Sequence, residues 1–447
     1  MVGAGVTGLT AAYRLAQAGC ACDVYERWPG LGGQVATRAI PGGDRLEHYY
    51  HHLFTTDEAI VALYEELGMP DAVEWLPSSV AVFADGRQLP FTGPLDLLRF
   101  HPMSVRGRLR LGAGVLALQR RARDVAPFEG ITAREMVVRW LGREAWDVLW
   151  RPLLRGKFGD RADEISAAWL WSKLTLRRRI EGEGAWRELL GYPRGGWQPL
   201  LDALAERSGR VLTDTPARRI FRDGEALGVE AGAADSFRRG LDPEQFEPAG
   251  RESYDAVVAT VPSDVFLALL EPGLRREIGD TYAHQVAAAE YQAALCLVLE
   301  LDRRFSPYYW TNIADPALPF IGLVEHTNLV SPGRYGGRRF LYVANYVERD
   351  DPLLELGAQA LLDHYLPGLR TVNPSFDHAW VREMRVYREP SAQPVVTPGY
   401  RDRMPALQTP ARGLVLANIT QIYPEDRGTN YSVRLGSQAA EAALGGA

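Results

Sequence analysis

The sequence predicts an α/β fold: a Rossmann-like dinucleotide-binding domain assembled from discontinuous segments, with an α+β substrate or cap domain between them. Three stretches lead to this reading. The first 34 residues place a glycine-rich turn between two short strands, the α/β rhythm returns at Gly195-Gly196, and the last 35 residues hold a buried strand, a loop and a helix.

The head of the chain carries the sharpest signal. Gly3, Gly5 and Gly8 form G-x-G-x-x-G, Ala12 follows, and Glu26 ends the next strand, Cys22 to Glu26. Gly3 permits the tight strand-to-helix turn, Gly5 lets a pyrophosphate approach the backbone, and Gly8 and Ala12 let the helix lie close on the sheet. The free N–H groups at the helix start then face the anion, and Glu26 is placed to accept hydrogen bonds from a ribose. A second glycine pair, Gly32-Gly33, closes the unit. A Rossmann strand needs about five residues before its first glycine, yet only Met1 and Val2 precede Gly3. The expectation is a native start upstream of Met1, or else a clipped central strand that weakens fold and cofactor retention.

Residues 43–57, GDRLEHYYHHLFTTD, gather His48, His51 and His52 around Tyr49 and Tyr50. They read either as a site or as a loop of satisfied, half-buried histidines; no nearby acid or cysteine completes a metal set. An amphipathic helix is predicted over 57–68, and a hairpin over Val80 to Leu89 turning at Asp85-Gly86. From Pro94 to Trp186 the pattern is helical and rich in arginine and tryptophan. Within it Leu111 to Leu118 is too short to span a bilayer, but Arg106, Arg108, Arg110, Arg120, Arg121 and Arg123 flank it. That suits either an anionic membrane surface or a cap whose arginines are solvated. Pro152, Gly156 and Gly159 are expected to break the helical pattern in RPLLRGKFG, leaving Lys157 in a loop.

After Gly196, GGWQPLLDALAERSG reads as a helix, VLTDTPARRIFRD as a strand pair and YDAVVATVPSD as a buried strand, with a polar hairpin insertion over 223–252. Residues 293–302, 308–313, 320–326 and 340–347 read as strands of a mixed sheet beside a helix from Glu355 to Tyr365. Leu414 to Ala417 is a buried strand, and the last helix begins near Asn430. No second G-x-G-x-x-G occurs after Gly8; Gly112-Ala113-Gly114 lacks the third glycine and the preceding strand, which argues against a separate nicotinamide domain.

Composition narrows the function. The 447 residues suffice for two or three domains, and a net charge of −6 gives no case for nucleic acid. Lysine occurs only at Lys157 and Lys173, so arginine supplies the rest of the 50 basic residues. Cys20, Cys22 and Cys296 form neither a ligand pattern nor a disulfide framework. With no signal peptide visible and no apolar run of ~18 residues, a cytoplasmic location is expected. No metal is expected.

These motifs together resemble the FAD-dependent superfamily of amine oxidases, protoporphyrinogen oxidases and phytoene desaturases, over nearly the whole chain. EHYYHHLFTTD, RPLLRGKFGDRADEISAAWLW, YYWTNI, AQPVVTPGY and LANITQIYPEDRGTNY resemble more narrowly a bacterial protoporphyrinogen-oxidase-like subgroup. The resemblance implies FAD. It implies that Gly3, Ala4, Gly5, Val6, Thr7 and Gly8 hold the pyrophosphate, Glu26 with Arg27 beside it the adenosine ribose, and Gly32, Gly33 and Gln34 the ribityl-pyrophosphate. Gln34 stands where the superfamily has arginine, which loses a charged phosphate contact. Ala217 is similar to the strand residue whose backbone reaches the adenine, and Ala417-Asn418 to the pair near the ribityl chain. Gly428, Thr429, Asn430 and Tyr431 would bring a helix start to the flavin N1–C2=O edge, where it stabilises negative charge. Two departures disfavour an amine substrate and a covalent flavin: AALCLVLELD has no lysine, and the C-terminal region has no cysteine. A competing resemblance joins HLFTTD (52–57) to the flavin-facing stretch of UDP-galactopyranose mutases, with Thr55 replacing its second histidine.

The implied division is 1–56, 191–265 and 405–447 for the FAD-binding domain, 57–190 for a mostly helical cap and 266–404 for the mixed sheet of the substrate domain. The implied activity is noncovalent, FAD-dependent removal of a hydride from a bulky, largely apolar small molecule such as an isoprenoid or tetrapyrrole. His52, Tyr423 and Gln393 are the candidates on the substrate side, with Lys157 as an anion anchor. The alternatives are a redox-neutral flavin-dependent sugar mutase, and a non-catalytic FAD-binding protein or membrane-surface lipid escort.

Overall fold

A computed structural model describes residues 1–121, 124–175, 188–240 and 242–446. Its parallel layer is built from three distant stretches of chain. Asp23–Tyr25 pairs with Arg210–Leu212, and Val257–Ala259 pairs with Leu414–Leu416. Val2 bridges Tyr25 on one side and Ala259 on the other. Met1 to Gly3 thus take the central lane; Tyr25 N donates to Met1 O and Val2 N to Val258 O, each at 2.9 Å. Both neighbours supply hydrogen bonds to this lane. Three helices, Val6–Gln17, Gln198–Glu206 and Thr429–Gly446, cover one face with Leu9, Leu15, Leu200, Leu204, Val433 and Ala440.

A three-stranded antiparallel sheet of Ala217–Asp223, Ala226–Gly232 and Pro248–Tyr254 contains the predicted insertion. A larger, seven-stranded sheet runs in the order Val381–Pro394, Tyr291–Leu301, Arg339–Val347, Gly322–Glu325, Trp310–Ile313, Val80–Ala84 and Arg87–Pro90. The hairpin at Asp85 therefore extends the sheet of the substrate region through one parallel pairing, Trp310–Ile313 with Val80–Ala84. Its longest strand, Val381–Pro394, escaped the sequence reading: charged residues interleave with half-buried ones in VREMRVYRE, giving no apolar run. The helix predicted over Glu355 to Tyr365 is instead Ala358–Val372 and continues through Pro367, anchored in the core by Leu361, Leu362, Tyr365 and Leu369.

The helical region holds Pro94–Arg99, Val105–Arg121, Ala133–Trp140, Arg151–Phe158 and Ala167–Thr175. The expected break at RPLLRGKFG does not occur. Pro152 follows directly on the π-helical turn Trp146–Trp150, and the helical backbone runs on through it. Gly156 is glycine for space, since a Cβ there would lie 2.7 Å from Ile321 Cγ2; only Gly159, at φ +55°, ends the helix. The sequence readings on Arg123 and on residues 176–187 fall outside the described residues.

Candidate functional site

A cavity of about 2160 Å³ runs from the N-terminal glycine turn to the helical region. At its first end the wall is backbone. Gly3 adopts φ +103°, and a Cβ on Gly8 would lie 2.0 Å from Gly3 O, so both are glycine for the turn's own packing. Gly5 differs: a Cβ there would meet only Gly32 O, at 4.0 Å. Nothing in the protein requires that bare position, and the space in front of it belongs to the cavity. No side chain caps the helix Val6–Gln17 that follows, so its first N–H groups make a seat for an anion.

Gly3, Gly5, Val6, Thr7, Glu26, Arg27, Gly32, Gly33, Gln34, Ala217, Asn418 and Gly428 to Tyr431 all line this cavity. Ala4 and Gly8 lie behind the turn, buried. Ala4 N donates at 2.8 Å to Glu26 Oε2, while Trp28 N donates at 2.9 Å to Oε1; Glu26 therefore braces the turn as well as facing the cavity. Burial raises its carboxyl above the usual range, against these bonds. The Arg27 guanidinium lies 5.1 Å from the Phe237 ring centre. Asn418 is turned into the protein: its amide donates to Val261 O (3.0 Å) and accepts from Thr420 N (3.0 Å), tying two lanes of the parallel layer. Asn430 Oδ1 accepts from Ile60 N at 3.1 Å, an N-terminal capping bond to Glu58–Glu66.

The histidine cluster divides. His48 stacks on Tyr387 at 4.1 Å among Arg38, Arg45 and Arg385, away from the cavity. His51 and His52 line it. His51 bonds the Tyr49 carbonyl at 2.7 Å, and burial pulls it down to about 4. His52 Nδ1 lies 3.0 Å from the Tyr309 hydroxyl, its ring edge-on to Phe54, Tyr309 and Trp310.

Two sequence candidates are displaced. Tyr423 does not reach the cavity: its hydroxyl donates to Glu129 and its ring stacks on Tyr400 at 5.5 Å, pinning the C-terminal loop to the cap. Gln393 is buried behind the wall, where Nε2 donates to Asp426 at 3.2 Å and Oε1 accepts from Arg427 Nε at 3.1 Å. Lys157 does line the cavity, and with it come residues that sequence reasoning missed. Lys157 Nζ lies 2.8 Å and Lys173 Nζ 2.5 Å from the same oxygen, Asp426 Oδ2; Trp169 Nε1 donates to Oδ1 at 3.1 Å. Arg427 donates to Gln34 Oε1 at 3.0 Å and to the Tyr346 hydroxyl. A guanidinium thus reaches Gln34 from another segment, beside the position where the arginine of the resembled motif is missing. The available signal was that the chain's two lysines are its only two.

The family model described as flavin containing amine oxidoreductase matches residues 6–423. The chain belongs to this family. It is an FAD-dependent oxidoreductase. Within the family it is similar to the 15-cis-phytoene desaturase of Synechococcus elongatus, 38% identical over 295 residues covering 60% of this chain and 59% of that protein. It is also similar to a candidate UDP-galactopyranose mutase of Klebsiella pneumoniae, 22% identical over 375 residues, 82% of this chain and 84% of the other. Among solved structures a candidate protoporphyrinogen oxidase from Exiguobacterium sp. 255-15 shares the fold, with a TM-score of 0.74 at 17% identity over 99% of this chain and 97% of that one. The oxidoreductase has no helix long and apolar enough to cross a membrane among its described residues.

Proposed function

We propose that this oxidoreductase removes a hydride from a bulky, largely apolar small molecule, such as an isoprenoid or tetrapyrrole, lying in the second half of the cavity. One observation carries the reading: Leu97, Leu111, Val115, Leu149, Leu153, Leu154 and Leu170, with Trp150 and Trp171, line that half. Such a wall takes an apolar body out of water at roughly 25 cal/mol per Å² buried and supplies positioning rather than acid or base groups.

When bound, FAD supplies the two-electron acceptor. Gly3, Gly5, Val6, Thr7, Gly32 and Gly33 would hold it by backbone, with Glu26 and Arg27 at the adenosine end and Thr429 to Tyr431 presenting a helix start. The reading is of a noncovalent flavin, since none of Cys20, Cys22 and Cys296 lines the cavity. His52, oriented by Tyr309, faces the substrate. Leu95 and Leu98, with Val105, Leu109 and Leu116 beside Arg99, Arg106 and Arg108, are exposed on the cap helices; they fit the surface of an anionic bilayer, from which an apolar substrate enters. A second reading, redox-neutral sugar isomerisation, is favoured by His52 in HLFTTD and by the mutase relative.

Mass spectrometry of small molecules released from the purified protein tests both. FAD with an isoprenoid or tetrapyrrole, together with substrate-dependent loss of visible flavin absorbance, supports hydride removal. FAD with a nucleotide sugar, conserved in mass on turnover, overturns it in favour of the mutase reading.

A further inference from the structure

Beyond Glu26 the cavity is walled by two elements that the glycine turn does not need. One is the loop after Asp23–Tyr25, which carries Arg27 and Trp28; the other is the insertion, whose short helix Ala234–Arg238 carries Phe237. The Trp28 and Phe237 rings meet at right angles with their centres 4.9 Å apart, and the Arg27 guanidinium lies over the Phe237 ring at 5.1 Å. Trp28 is 52% exposed although it lines the cavity. Around the pair the wall is apolar: Pro216, Ala217, Pro243, Phe246, Val265 and Leu269 line it, where the helix Ser263–Leu269 packs against Pro243–Gln245 and Ala217–Asp223.

Both rings are held by the backbone around them. Trp28 N donates to Glu26 Oε1 at 2.9 Å and Trp28 O accepts from Asp214 N at 3.0 Å, so the carboxylate at the ribose position is bonded to the residue whose ring rims the slot. On the other side Phe237 packs on Phe246, their centres 6.5 Å apart. Phe246 is fixed in turn: its carbonyl accepts from Arg218 Nε at 2.7 Å, and a Cβ on Gly232 would lie 2.7 Å from its own Cβ, so only glycine lets it seat. An apolar slot with aromatic rings at its rim and a carboxylate beside it has the chemistry of a nucleoside site. The rings offer area to a flat heteroaromatic base, and the carboxylate accepts from ribose hydroxyls. The glycine turn seats a pyrophosphate next to it, which leaves the base of the dinucleotide for the slot.

We propose that Trp28 and Phe237 form an aromatic clamp for the adenine of FAD, and that the insertion carrying Phe237 is a flap that sets how long the cofactor stays bound. The clamp recognises a ring face rather than a pattern of donors and acceptors, as stacking contacts to bases do. It needs the cofactor but no particular substrate, so it stands apart from the choice between hydride removal and sugar isomerisation.

The test is cofactor retention in the full-length protein, with no turnover required. Release of FAD from the diluted holoenzyme is followed by the rise in flavin fluorescence. Equilibrium dialysis against FMN, which has the flavin and one phosphate but no adenosine, is the control. Trp28→Ala should speed FAD release about tenfold and leave FMN affinity within about twofold. Phe237→Leu, which fills the space without an aromatic face, should do the same to a smaller extent. Trp28→Phe, which keeps such a face, should recover most of what Trp28→Ala loses. Unchanged FAD release in Trp28→Ala and Phe237→Leu overturns the clamp. So does an equal loss of FAD and FMN, which would mark the pair as scaffold for the whole cofactor site. Trp28→Phe releasing FAD as fast as Trp28→Ala overturns recognition by the ring face.

Discussion

The two ends of the cavity are built by opposite means. At the glycine turn the ligand-facing groups are backbone N–H groups and bare Cα atoms within one 34-residue stretch, and side chains such as Glu26 brace them. At the lysine end the wall is made of side chains, Lys157, Lys173, Asp426 and Arg427 among them, brought together across as many as 269 residues of sequence. A backbone seat is rigid and generic, because every FAD molecule presents the same pyrophosphate to it. A side-chain wall can be retuned one residue at a time.

The largest effect is expected where the backbone has no freedom. Gly8→Val forces a Cβ onto Gly3 O and should destabilise the protein by roughly 3 kcal/mol or abolish folding, read as soluble yield and Tm. Gly5→Ala sharpens the point: with nothing within reach but the cavity, it should leave apoprotein Tm within about 1 °C, less than roughly 0.5 kcal/mol, while lowering FAD content. Equal loss of Tm in both variants would break the distinction between turn glycines and a ligand-facing one.

A smaller effect belongs to the substrate end. His52→Ala should cut turnover about tenfold or more at unchanged flavin content; unchanged turnover would remove His52 from the site. The cavity histidine His51 sharpens the comparison through pH. Its ordinary value of 6.5 is held down to about 4 by burial, so the unfolded chain binds its proton first. Stability from this group is complete above about 6.5 and is lost as pH falls through 4. Glu47 works oppositely, since burial lifts it to about 7 and its folded form favours the proton, so stability declines from about 4.5 to 7. Chemical denaturation across pH 4 to 7 should show a shallower acid loss in His51→Gln and a shallower loss toward neutrality in Glu47→Gln.

The smallest effect is expected outside the cavity. Tyr423→Phe removes the bond to Glu129 and should cost about 1 kcal/mol of stability with kcat unchanged. A fall in kcat with Tm intact would return Tyr423 to the site.

How much was legible follows the same division. G-x-G-x-x-G, Glu26, Gly32-Gly33 and the C-terminal Gly428-Thr429-Asn430 could be read because each is a local arrangement whose spacing is its geometry. Tyr423 was misplaced because neighbouring residues on a loop face opposite ways: Asp426 and Arg427 reach the cavity wall while Tyr423 stacks on Tyr400. Gln393 was misplaced because it lies in the buried end of the strand Val381–Pro394, behind the wall. The strand Val381–Pro394 was missed because its charged face hides the alternation, and RPLLRGKFG was misread because Pro152 and Gly156 carry no mark of following a π-helical turn or of packing against Ile321.

By itself the sequence determined the α/β class, the dinucleotide turn and the family, since glycine spacing, apolar periodicity and short-range turns are properties of consecutive residues. Only the tertiary structure decided that the two lysines share Asp426, that Arg427 stands beside Gln34, and that His51 and His52 but not His48 face the cavity. Those juxtapositions depend on how the cap helices and the C-terminal loop dock, a long-range packing choice that no local pattern encodes.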